Sequence, residues 1–208
     1  MSLLALKQGI NKYLIAPLLH TQTKNLEELS IISVNCIGGV LAHDYKIKFL
    51  SPTINLFMLP ADYIKFVKNL QYYVNCDIKE VKNAGYTYPL GLLDDIMLFF
   101  VHYPSFDVAR QKWNERKGRI NFENLFLVFT DQNDCTDELV EEYARLPYKK
   151  VFFTSQKKYK KYDFAVYMDS EEYSKKHNGR TLVDDACLFK GISGKRNYEY
   201  VANILEFM

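Results

Sequence analysis

Two short stretches concentrate the residues able to do chemistry. In IISVNCIGGVLAHDY, residues 31–45, a β-branched run ends at Asn35 and Cys36, Gly38 and Gly39 follow, and His43 and Asp44 come next. In TDQNDCTDE, residues 130–138, Asp131 and Asp134 flank two amides, and Cys135 and Thr136 follow. Glycines after a strand let backbone N–H groups approach a phosphate, and a helix N-terminus adds partial positive charge. Asn35, Gly38 and Gly39 are therefore substrate-binding candidates. The chain has neither G-x-x-x-x-G-K-[ST] nor G-x-G-x-x-G, so both named nucleotide fingerprints are absent. A plain strand-to-helix turn is the first alternative.

Cys36 at the start of a helix would have its thiol pKa lowered, as a nucleophile needs. His43 sits two turns further on, about 10.5 Å away along the axis, and is a substrate-side candidate out of direct reach of the thiol. A buried strand-end thiol is the competing reading. Asp131 and Asp134, three residues apart, can hold one divalent cation, Mg or Mn, against the phosphates of an activated donor. Cys135 and Thr136 would then line the substrate. The alternative is an Asx turn followed by a helix cap at Thr136. His102 closes the run IMLFFVHY and is a general acid–base candidate. Asp95, at the other end of that run, is about 20 Å away at strand rise.

These residues need a scaffold that brings strand ends together. LSIISVN (29–35), SPTINLFML (51–59), DIKEV (77–81), residues 96–103, NLFLVFTD (124–131), KVFFTS (150–155) and FAVYM (164–168) read as strands. Helices are expected over 40–45, from Pro60 with Tyr63, Phe66, Val67, Leu70 and Val74 inward, and after Ser105 with Phe106, Ala109 and Trp113 inward. Two more follow Thr136, with Leu139, Val140, Tyr143 and Leu146 inward, and close the chain over 198–207. The run QKKYKKYD reads as a solvated turn and 169–181 as loop. Strands alternating with helices predict an α/β fold, a mainly parallel sheet flanked by helices in three layers, Rossmann-like. In such sheets ligands bind beyond the carboxyl ends of the strands, near a reversal of strand order. That rule selects Asn35–Gly39, the loop after Tyr103, and Asp131–Thr136.

The N-terminal stretch carries Leu3, Leu6, Ile10, Leu14 and Leu18 at helical spacing. Residues 1–28 are expected to be a helix and linker appended to one α/β domain over 29–208. That helix would pack on the domain, on a second copy of the chain, or on the inner face of the membrane. Its 208 residues suffice for a sizeable core, and the formal charge of +2 argues against a dedicated nucleic-acid surface. Cys36, Cys76, Cys135 and Cys187 are dispersed without a C-x-x-C pair, which reads as reduced thiols in a cytoplasmic protein. No apolar run reaches the roughly 18–20 residues that span a bilayer.

Taken in order, NCIGG, SPTINLFMLPADYIKFVKNLQYY, YPLGLLDDI, FVHY, ARQKWNERKGRIN, NLFLVFTDQNDCT and LPYKKVFFTS resemble a bacterial family of unknown function. Its members are often labelled exopolysaccharide or capsule biosynthesis proteins. The likeness runs from Ile31 to Ser155. It implies a cytoplasmic transferase that uses a nucleotide-activated or phosphate-containing donor. A non-catalytic binding or assembly protein, partnered with membrane-associated polysaccharide enzymes, is the alternative. The resemblance carries over Asn35, Cys36, Gly38, Gly39, His102, Asp131, Cys135 and Thr136 as site candidates. The chain departs from the family pattern at Ile37, where an aromatic is usual, and in the acidic loop. There Asp-Arg-x-Gly-Cys becomes Asp131-Gln132-Asn133-Asp134-Cys135.

Overall fold

A computed structural model of the chain describes residues 26–82, 85–184 and 207–208. The N-terminal helix, Cys187 and all but the end of the expected closing helix lie outside the described residues. In chain order the elements are β1 (Ser30–Ser33), α1 (Ile37–Asp44), α2 (Pro60–Lys68), α3 (Leu70–Asn75), β2 (Ile78–Val81), β3 (Leu90–Leu93) and β4 (Ile96–Phe99). There follow α4 (Phe106–Lys117), β5 (Leu125–Thr130), α5 (Asp137–Ala144), β6 (Lys149–Thr154), a 3-10 helix (Lys157–Lys161), β7 (Ala165–Tyr167) and α6 (Glu171–Lys176).

Four strands form one parallel sheet in the order β1-β5-β6-β7. Strands covered on both faces read as continuous apolar runs, and LFLVFT of β5 is buried at every position. Successive side chains leave a strand on opposite faces. Phe126 and Val128 accordingly join Leu41 of α1 and Val151 in one core. Leu125, Leu127 and Phe129 join Tyr63 of α2, Trp113 of α4 and Tyr143 of α5 in the other. The result is a mixed α/β fold with helices on both faces of a parallel sheet, as the alternation of elements predicts.

Helix starts follow the local chemistry. Pro60 opens α2 at a position whose N–H has no intrahelical partner. Ser105 and Thr136 accept from Val108 N and Leu139 N and cap α4 and α5. The single helix expected after Pro60 is broken at Asn69 into α2 and α3, yet Tyr63, Phe66, Val67, Leu70 and Val74 are all buried.

Other expectations are corrected. Residues 51–59 do not form a strand: Asn55 turns the backbone left-handed at φ 63°, and only Phe57 bridges Phe99. Residues 96–103 do not run as one strand of the parallel sheet. The first four are β4, which pairs antiparallel with β3 across the turn at Asp94-Asp95. Asp94 has φ 56°, the left-handed geometry of a tight hairpin. With β2 these make a separate three-stranded antiparallel sheet. LGLL of β3 lacks alternation, so periodicity does not reveal it. Residues 57–58 tie the two sheets, Met58 N reaching Val34 O at 2.9 Å and Phe57 N reaching Phe99 O at 3.0 Å. The stretch 169–181 contains α6, and the lysine run is a 3-10 helix rather than an open turn. No described helix is long and apolar enough to cross a membrane.

Candidate functional site

Because the four strands are parallel, Ser33, Thr130, Thr154 and Tyr167 finish at one edge. The order β1-β5-β6-β7 runs in one direction, so the described strands contain no reversal point to single out a crevice. What singles out the edge is its polar side chains.

Two hydrogen-bonded groups stand there. In the first, the Gln132 side chain joins three segments. Its Oε1 accepts from Asn35 Nδ2 at 2.8 Å and from Thr130 Oγ1 at 3.1 Å, and its Nε2 donates to Asp184 Oδ1 at 2.8 Å. Asp184 Oδ2 accepts from Thr181 N at 2.5 Å and Thr181 Oγ1 at 2.9 Å. Burial pushes the Asp184 carboxyl up, but the Thr181 N–H, the Gln132 amide and the Thr181 hydroxyl outweigh it, so the group titrates below its ordinary range. In the second group, Asp131 Oδ2 accepts from Ser155 N at 2.7 Å, Thr154 Oγ1 at 2.8 Å and Ser155 Oγ at 3.1 Å. Asp131 thus links the ends of β5 and β6, and its Oδ1 has no partner among the described residues.

The glycine pair serves packing. A Cβ on Gly38 would lie 2.4 Å from Ser33 Cβ, and one on Gly39 would lie 3.3 Å from Ile54 Cγ2. The N–H groups that a phosphate would need are engaged within the chain: Gly38 N donates to Ser33 Oγ at 3.1 Å, and Ile37 N donates to Asn35 Oδ1 at 3.0 Å. Gly38 lets α1 lie against β1, and Gly39 lets it lie against the segment at Ile54.

Cys36 is the residue before α1, as expected, but its thiol is not activated. Burial pushes it up to about 11, against a smaller backbone contribution in the other direction. At neutral pH it is a neutral thiol, 3.9 Å from Leu56 O. His43 is exposed in the last turn of α1 and pairs with Asp44 at 3.2 Å. His102 is exposed three residues beyond β4, which belongs to the antiparallel sheet. Cys135 is half-buried; burial, then the charges of Asp131 and Asp137, push its thiol up to about 12. Thr136 spends its hydroxyl on Leu139 N.

Asp134 is exposed with φ 61°, next to Asn133 at φ 53°. Asn and Asp tolerate that left-handed region better than most residues, which suits them to these two consecutive positions. Among the described residues no group of three or more His, Cys, Asp or Glu could hold a metal ion. Asp131 moreover has one oxygen committed to three donors.

Asn35, Asp131 and their neighbours are therefore gathered at one edge, while His43 lies in the last turn of α1. Gln132, Thr154, Ser155 and Asp184 are the members that motif reading does not single out. Gln132 is readable as the polar residue two positions after a buried strand. Asp184 lies 52 residues further along and has no local signature.

Residues 10–208 match the family described as Domain of unknown function (DUF1919). The chain is also similar to an uncharacterized protein of Haemophilus influenzae (strain ATCC 51907 / DSM 11121 / KW20 / Rd). The two are 32% identical over 198 residues, 93% of this chain and 92% of the relative.

Proposed function

The chain belongs to the DUF1919 family, and from the geometry of its carboxyl edge we propose that it is a transferase acting on a hydroxyl-rich, phosphate-containing donor in bacterial surface-polysaccharide synthesis. One observation carries the reading: amides and carboxylates from three segments, Asn35, Asp131-Gln132 and Asp184, converge at the edge where α/β sheets receive ligands. Amide and carboxylate side chains at fixed positions are the groups that pair with sugar hydroxyls, each offering directional donors or acceptors. The likeness of the motifs between Ile31 and Ser155 to polysaccharide-synthesis proteins supports the same substrate class. In this reading Asp131 is held by Thr154 and Ser155 with one oxygen left to face a substrate hydroxyl, and it serves as the general base or the orienting group.

A second reading, a non-catalytic binding or assembly protein of the same machinery, draws on a different observation. The Cys36 and Cys135 thiols are both neutral, and among the described residues neither is hydrogen-bonded to a histidine.

The deciding measurement is the melting temperature of the full chain against sugar nucleotides and nucleotide phosphates, with and without magnesium or manganese. A ligand at a hundred times its Kd adds about 2.7 kcal/mol, a readily resolved shift. The transferase reading expects a selective shift for one donor class that Asn35→Ala and Gln132→Ala remove. A flat panel on a cooperatively folding protein would transfer the case to the assembly reading.

A further inference from the structure

The 3-10 helix after β6 has the sequence KKYKK, so four of its five residues are lysines. The fifth, Tyr159, is 3% exposed. Its ring meets the Phe152 ring edge-on at 5.4 Å, and its hydroxyl donates to Asp137 in the first turn of α5. One buried aromatic thereby pins the helix beside the Asp131 loop and leaves all four lysines exposed. Residues three apart eclipse one another in a 3-10 helix, so Lys157 aligns with Lys160 and Lys158 with Lys161. Lys158 pairs with Asp137 at 2.6 Å. Lys157, Lys160 and Lys161 have no carboxylate within ion-pair distance among the described residues; Lys160 and Lys161 lie over the Tyr167 and Tyr162 rings at 5.3 and 5.0 Å.

The chain as a whole is nearly neutral at +2, so this is a local concentration of charge and not a property of the surface at large. Like charges held together on one turn repel, and a polyanion relieves that repulsion. The shape of the patch selects which polyanion. Three exposed ammonium groups on one short helix are separate point charges. Such an array matches a surface that itself carries many spaced charges, and flanking tyrosines suit the water–lipid boundary.

We propose that the Lys157–Lys161 helix docks this protein on an anionic bilayer surface. The helix touches α5 at the same edge as Asp131, so docking would turn the candidate site toward the membrane. If the transferase reading holds, the acceptor is then a lipid-carried saccharide. Only that last clause rests on the proposed function; the docking itself does not.

The test is flotation of the full chain with phosphatidylcholine vesicles, alone or with about one part in three phosphatidylglycerol. Wild type should float with the anionic vesicles only and be released as salt shortens the Debye length. The variant Lys157→Gln/Lys160→Gln/Lys161→Gln, which spares the Lys158–Asp137 pair, should keep its melting temperature and bind about a hundredfold more weakly. Absence of wild-type binding, equal binding to neutral and anionic vesicles, or equal binding by wild type and variant would overturn the proposal. So would a thermal shift with inorganic phosphate, lost in the variant, without vesicle binding; the lysines would then serve a soluble phosphate. A flat donor panel beside charge-dependent flotation would defeat the transferase reading and leave docking intact.

Discussion

At the scale of single residues, the most consequential side chain is Asp131. Its carboxylate holds the ends of β5 and β6 together through Thr154 and Ser155, so its role at the edge cannot be tested by deletion alone. Asp131→Ala leaves a backbone N–H and two hydroxyls without their acceptor. It should lower stability by about 1–3 kcal/mol in urea unfolding. Asp131→Asn keeps an acceptor oxygen and should lose less. A donor-induced shift abolished in the Asn variant, with most of the stability retained, would separate function from scaffolding. Gly38 presents the opposite case, where a missing side chain matters. Gly38→Ala would gain about 1 kcal/mol of helix propensity. However, it sets a Cβ 2.4 Å from the rigid Ser33 Cβ, and overpacking of that kind costs about 1–3 kcal/mol. We expect a net loss of up to about 2 kcal/mol, read from the urea midpoint at unchanged slope. A net gain in stability would mean that α1 shifts freely on β1.

Among elements, the Thr181–Asp184 turn is fastened by the Gln132 amide on Asp184, by Leu182 N donating to Ser170 Oγ, and by Val183 in the core beside β5 and β6. The Asp184 carboxyl titrates below its ordinary value in the folded chain. A depressed carboxyl contributes stability that is complete above the unfolded value, about 3.9, and lost as pH falls through the lower folded value. Protection of the amides of this turn should therefore be flat from neutral pH down to about 5 and fall only below about 3.9. Asp184→Asn, which cannot titrate, should remove that dependence. Loss of protection already near pH 6 would show that Asp184 does not govern the turn.

On the scale of the whole molecule, β5 and β6 supply side chains to both cores, Phe129 and Phe152 to one and Phe126 and Phe153 to the other. Neither core can melt without stripping a strand from its partner. Trp113, the single tryptophan, is buried under α4 in one core, while far-UV ellipticity reports the backbone throughout. The two signals should follow one urea transition. A tryptophan change that precedes the loss of ellipticity would mean that the α4 face unfolds on its own.

What the sequence alone determined is local. Buried strands show as unbroken apolar runs, caps as Ser105 and Thr136, and helix faces as the spacing of Tyr63, Phe66 and Val67, because each depends only on neighbours within a turn or two. The place of the Asn35–Gly39 and Asp131–Thr136 loops at one edge was legible too, since a parallel sheet sends its strand ends the same way. Only the tertiary structure decided the rest. That residues 96–99 belong to a second, antiparallel sheet depends on pairing with β3, whose LGLL carries no period. That Gly38 faces Ser33 rather than a ligand depends on how closely α1 lies on β1. That Cys36 is a neutral thiol depends on burial by Leu56 and its surroundings, which outweighs the helix N-terminus. And Asp184 reaches Gln132 across 52 residues of chain, a contact set by the path of the fold between them and by nothing in either residue's neighbours.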